Sequence, residues 1–290
     1  MTASSLGARA PAPALFVVGG VSMYVGAALA VGLFDRLPPT AVALLRLAGA
    51  AALLLAWRRP RRAAWSGRRW ARATAFGVAT AGMNMAFYEA IARLPLGTAV
   101  AIEFCGPVAV AAVSSRRPRD LGAAVLAAVG VLLIADARWS GSPAGVLWAL
   151  AAAALWAAYI VLGKRVATAG NGLDEMAVGF AVAVVVLSPV LLSAAPSALT
   201  ALADPVVLLL ALGVGALSSV VPYVLDQIVL QRVGQGRFAV LLALLPVTAG
   251  AVGLVALGQV PGGLEAVGII AVIAAVVLRS RDGDTPAPVG

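Results

Sequence analysis

Apolar residues fall in long runs along this 290-residue chain, with short clusters of Pro, Gly, Asp and Arg between them. A membrane-spanning helix uses ~20 mostly apolar residues, and runs of that size bounded by turn formers read as spans. Ten are predicted, at roughly 14–34, 40–57, 72–92, 96–114, 121–136, 144–163, 176–194, 205–231, 237–257 and 263–279. The first run is longer than the apolar stretch of a signal peptide and follows a single Arg9, so it is expected as a retained helix. The expected fold is an all-α polytopic membrane protein. It has a cytoplasmic N-terminal tail (1–13), a five-helix half (14–136), a second half (144–279) and a disordered cytoplasmic tail (280–290).

Basic residues are confined to particular gaps. Of the 21 Lys and Arg, 17 lie in tails and loops on the side of the N-terminus, 3 (Arg36, Arg93 and Arg138) on the other, and Arg46 within a span. Cytoplasmic loops hold the excess of Lys and Arg, so both termini are expected inside, as an even number of spans requires.

Composition agrees with the pattern. The chain is 62% apolar and 11% charged, against roughly 45–50% and 25% in soluble domains. Its net charge of +9 follows from loop placement, and no nucleic-acid partner is expected. Histidine is absent and Cys105 is the one cysteine. That excludes disulfide frameworks, Cys/His metal sites and any Ser/His intramembrane protease. The intramembrane acids Glu89, Glu103 and Asp226 lie in dissimilar contexts, unlike an aspartyl protease pair. No enzyme, cofactor or metal is expected.

Residues 92–107 align without gaps on 231–246, matching Arg93 with Arg232, Gly97 with Gly236 and Pro107 with Pro246, while Glu103 falls opposite Leu242. Halves of five spans have opposite topology, and inverted repeats with a midplane substrate site mark secondary transporters.

Polar groups at membrane depth are costly and need partners or a wet cavity. Arg46 and Glu103 each lie about seven residues into a span that starts at the outer face, ~10 Å deep at about 1.5 Å per residue. Either they pair to hold helix register, or they serve substrate and proton. Glu89, near a span end, is expected to reach water, and Asp226 to meet Arg232 or Arg237. Pro107, Pro222 and Pro246 are candidate kinks or hinges. Tyr24, Asn84, Tyr88, Trp156, Tyr159, Tyr223 and Gln227 supply the remaining intramembrane polar and aromatic groups. Trp57, Trp65, Trp70, Trp139 and Trp148 are expected in interfacial belts. Gly26 with Ala30 would permit close helix approach.

Together with the ten spans, A-L-L-R-L in the second and A-L-W-A-A-Y-I-V-L-G-K-R (154–165) resemble the EamA family of the drug/metabolite transporter superfamily. Residues 82–120, from G-M-N-M-A-F-Y-E to S-R-R-P-R-D, and L-S-S-V-V-P-Y-V-L-D (217–226) are similar to its inner-membrane threonine/homoserine exporters. The resemblance implies efflux of small amino acids from the bacterial cytoplasm, driven by protons. It also implies substrate contacts from Arg46, Asn84, Tyr88, Glu103, Tyr159 and Tyr223, with Glu103 and Asp226 as proton carriers. Leu245-Pro246 and Gly258-Gln259 stand where many relatives carry Glu-Pro and Gly-Glu, so coupling through the second half lacks those carboxylates. An exporter of another metabolite (an aromatic amino acid, a nucleobase or a drug) and a non-transporting membrane scaffold are the alternative readings.

Overall fold

The computed structural model describes residues 11–60, 67–114, 118–139, 142–167, 172–194, 203–226, 228–229, 232, 241–242 and 244–280. Among them the chain is helical and has no strand. The helices are α1 (Ala12–Val31), α2 (Pro39–Arg58), α3 (Gly67–Ile91), α4a (Leu96–Glu103) and α4b (Cys105–Ser114), and α5 (Pro118–Trp139). They continue with α6 (Pro143–Ala167), α7 (Gly172–Ala194), α8 (Pro205–Gly215), α9 (Leu244–Leu257) and α10 (Gly263–Ser280). A π-helical turn, Ala216–Val220, continues α8, and helix resumes to residue 226. Among the described residues four helices are long and apolar enough to cross a membrane: Ala12–Val31, Pro39–Arg58, Pro143–Ile160 and Pro205–Asp226. Most of the others contain shorter apolar stretches. The predicted spans fall on these elements. The two tails (1–10 and 281–290), Gly236, Arg237 and Gln227 lie outside the described residues.

Local sequence explains the boundaries. Proline opens α2, α5, α6 and α8, where its fixed φ suits a helix and its missing N–H costs nothing. Asp204 caps α8 by accepting from the Val206 N–H at 2.8 Å. The fourth segment breaks between Glu103 and Cys105 because Pro107 has no N–H to give the Glu103 carbonyl four residues back. In α8, Val221 donates to the Ala216 carbonyl, an i→i−5 bond that widens the helix just before Pro222.

Packing exchanges partners between the two halves. The helix α5 packs on α10, α2 on α7 and α4 on α9; α3 packs on α6 and α7, and α8 on α1 and α2; α1 packs on α9, and α4 on α6. Backbones touch where α5 crosses α10: a Cβ on Gly130 would lie 2.7 Å from the Gly268 carbonyl oxygen. The core includes Phe16, Leu54, Phe104, Ile134 and Phe180. Large apolar side chains such as Leu132, Val185, Leu209 and Ile270 face outward, an arrangement suited to lipid rather than water. Trp57, Trp70 and Trp148 are also exposed near helix ends, as an interfacial belt requires. The side chains of Trp65 and Trp139 lie outside the described set.

Candidate functional site

A cavity of about 420 Å³ opens between α1, α2, α3, α4, α6, α8 and the start of α9. Of the residues singled out in the sequence, Arg46, Asn84, Glu103, Tyr159, Tyr223, Asp226, Pro107 and Pro222 line it, as do Tyr24 and Trp156. Ligand pockets in this size range are largely apolar with a few convergent polar groups. Met83, Phe87, Ile160, Leu242 and Leu245 supply the apolar part here.

Arg46 is held by α8. Its Nη2 donates to the Ser218 carbonyl at 2.7 Å, and its Nε donates to the Ser219 hydroxyl at 3.2 Å. The guanidinium carbon stands 5.6 Å from the centre of the Tyr88 ring, within cation–π range. A guanidinium carries five N–H donors, so the remaining ones can meet a ligand anion. Glu103 ends α4a, where the proline break leaves the helix, and is buried against the same cavity. Of the two readings of Arg46 and Glu103, no ion pair between them is seen among the described residues: the Ser218 carbonyl and Ser219 hydroxyl take the guanidinium, and both side chains line the void.

Asn84 donates from Nδ2 to the Thr80 carbonyl at 2.8 Å; its amide oxygen stays available as an acceptor. The aromatic walls are braced from behind. Phe104 meets Trp156 edge-on at 4.8 Å between ring centres, Phe76 backs Tyr159 at 4.8 Å, and Phe180 backs Tyr223 at 6.5 Å. Asp226 turns into the cavity.

Some expectations change. Tyr88 is fully buried and lies outside the cavity lining, set edge-on against Phe34 and Phe87 with the Arg46 guanidinium beside its ring; it backs the cation instead of forming a wall. Pro246 is buried near the start of α9 and outside the lining, with residue 241 before it helical and 242 in a turn, while the join at 243 lies outside the described residues. Glu89 does not reach water. It is 8% exposed and ion-paired to Arg93 one turn on, which also donates to the Glu89 carbonyl at 2.7 Å.

Sequence reasoning missed Ser218, which lines the cavity, and Ser219, its neighbour on the Arg46 Nε. The available signal was Pro222, four residues after Ser218. It also missed Glu265, 1% exposed at the start of α10. Glu265 accepts from the Thr98 hydroxyl and, at 3.2 Å, from the Gly262 N–H. Beside it Gln259 accepts from the Leu96 N–H at 2.8 Å, one of the first-turn donors that a helix leaves unpaired. Gly258, at φ 64°, turns the chain so that this side chain returns over α4a. A Cβ on Gly97 would lie 2.9 Å from the Gly250 Cα, so this end is tightly closed.

Residues 143–281 match the EamA-like transporter family. The threonine/homoserine exporter RhtA of Salmonella typhimurium strain LT2 is 37% identical over 257 residues, covering 88% of this chain and 86% of that one. The protein of the same name from Escherichia coli K12 is 36% identical over 264 residues, covering 90% and 88%. A solved crystal structure shares the fold, with a TM-score of 0.57 over 94% of this chain and 99% of the other at 17% identity. At such identity over most of both chains, the protein belongs to the EamA-like transporter family.

Proposed function

We propose that the protein exports small amino acids of the threonine/homoserine type from the bacterial cytoplasm across the inner membrane, by alternating access and with proton coupling. The observation that carries this reading is one cavity, inside an apolar bundle, lined by a cation (Arg46) and two carboxylates (Glu103 and Asp226). A zwitterion needs both signs. Arg46 meets the substrate carboxylate, and Glu103 meets the ammonium or carries the proton. Asp226 is the second proton carrier, Asn84 a polar contact, and Tyr159 and Tyr223 shape the walls. Lipid is the surrounding solvent. The two relatives, named as threonine/homoserine exporters, support the substrate class.

Inverted halves are supported by the reciprocal packing. Several contacts have counterparts five helices on: α1 on α9 as α6 on α4, and α3 on α7 as α8 on α2. Leu242, aligned opposite Glu103, faces the same cavity. With the orientation expected from loop charge, the cavity extends toward the cytoplasm and the Thr98–Glu265 end closes the outer side. Pro107 and Pro222 are the hinge candidates on the cavity wall.

The test is flux from proteoliposomes loaded with radiolabelled threonine or homoserine, with and without a proton gradient. Gradient-accelerated release that unlabelled threonine competes is the expected result. No release above empty liposomes, from folded protein, would overturn it and favour a scaffold. A second reading, export of an aromatic or otherwise larger metabolite, is favoured by the aromatic walls and by a cavity roomy for threonine. A substrate panel in the same vesicles separates the two.

A further inference from the structure

We infer that the π turn Ala216–Val220, with Ser219 and Ser22 as its positioning residues, fixes the direction in which Arg46 presents its guanidinium to the substrate; this rests on the reading above that Arg46 binds the carboxylate.

Pro222 leaves the turn short of donors. In an α-helix its N–H would go to the Ser218 carbonyl, and in π register to the Leu217 carbonyl; proline supplies neither. The usual partner of Leu217, the Val221 N–H, is already given to Ala216. Two successive carbonyls are thus short of donors inside an apolar bundle, where an unpaired polar group is costly. Each finds a side chain from another helix. The Ser22 hydroxyl donates to the Leu217 carbonyl at 2.8 Å, and Arg46 Nη2 donates to the Ser218 carbonyl at 2.7 Å. The α1 strut is completed in reverse, since the Ser218 hydroxyl donates to the Met23 carbonyl at 3.1 Å.

Backbone contact makes the strut stiff. A Cβ on Gly26 would lie 2.2 Å from the Ser218 Oγ, and one on Gly215 would lie 2.5 Å from the Ala50 N and 2.9 Å from the Arg46 carbonyl oxygen. The helices α1, α2 and α8 therefore meet at one point, beside the cation. Ser219 adds the bond to Nε, on the side of the guanidinium next to Nη2. A planar fork held by two partners cannot rotate freely about its stem, and its unused N–H groups keep one heading. Positioned donors retain affinity that flexible ones lose to ordering.

The test uses the full chain in proteoliposomes and compares how well unlabelled threonine and threonine amide, which lacks the negative charge, compete for labelled threonine. Wild type is expected to favour threonine strongly, and Arg46→Ala to lose that preference. Ser219→Ala removes one hydrogen bond to a charged group, so the preference should fall roughly tenfold, with maximal flux within about twofold. Ser219→Thr keeps the hydroxyl and should restore the preference, whereas a merely structural defect would lower flux and folded yield and leave the ratio alone. Ser22→Ala, which loosens the turn from α1 without touching Arg46, should lower the ratio about threefold and gives an independent reading if the Ser219 variant does not fold. If Arg46→Ala loses the preference while the Ser219 and Ser22 variants keep it, the positioning role is overturned and the reading of Arg46 stands. If wild type itself does not distinguish the two competitors, the reading of Arg46 falls and this inference with it.

Discussion

Two groups of buried polar side chains lie in the same apolar bundle and meet opposite fates. At the Thr98–Glu265 end, Glu265 accepts from a hydroxyl and a backbone N–H, and Gln259 accepts from Leu96. Gly97 closes directly on Gly250. Protein groups answer protein groups there, and little space remains. Around the cavity, Arg46, Glu103 and Asp226 face a void of about 420 Å³. Arg46 is held there by two oxygens of α8. Buried polar groups are tolerated when satisfied, and those turned toward space are held for water and ligand. Burial alone does not place an acid on the cavity: Glu265 is more buried than Glu103, yet it joins helices and is not among the residues lining the cavity of Arg46.

The contrast can be broken from the cavity side first. Arg46→Ala should lower threonine flux roughly 100-fold, since truncating one member of a buried charged contact costs about 2–5 kcal/mol; vesicle flux at matched, folded protein checks it. Glu103→Gln should reduce flux at least tenfold or remove its response to pH. A wild-type pH profile in that variant would sink the proton role of Glu103. At the closed end, Glu265→Leu strands the Thr98 hydroxyl and the Gly262 N–H. Thermal unfolding in detergent should show a loss of about 1–3 kcal/mol, with threonine affinity within about twofold of wild type. A large affinity loss there would erase the distinction between the two regions. Arg93→Ala leaves the buried Glu89 carboxylate without its partner one turn on, and the same melting assay should show a loss of about 1–3 kcal/mol, with threonine flux close to wild type.

Much of the site was legible because membrane depth makes polarity conspicuous. Arg46, Asn84, Glu103, Tyr159, Tyr223 and Asp226 each stand out in an apolar run, and all line one cavity. Glu265 escaped notice because an acid in the first turn of a helix usually faces water and the helix dipole. Here the loop that ends in Gly262 folds it inward over Thr98. Ser218 and Ser219 escaped because lone hydroxyls in a Leu- and Val-rich helix carry no signal of their own.

Helix content and segment boundaries were written into the chain. Apolar runs long enough for a span have few alternatives, and proline and glycine punctuate them locally. Partner choice was decided by the tertiary structure. Arg46 had an acid at its own depth available on paper, yet its donors went to the carbonyl that Pro222 leaves short and to the serine beside it. A local pattern tells how deep a charge lies along its helix. Which neighbour it meets depends on how helices distant in sequence rotate and cross, and close approach at Gly26, Gly49 and Gly215 sets that for α1, α2 and α8.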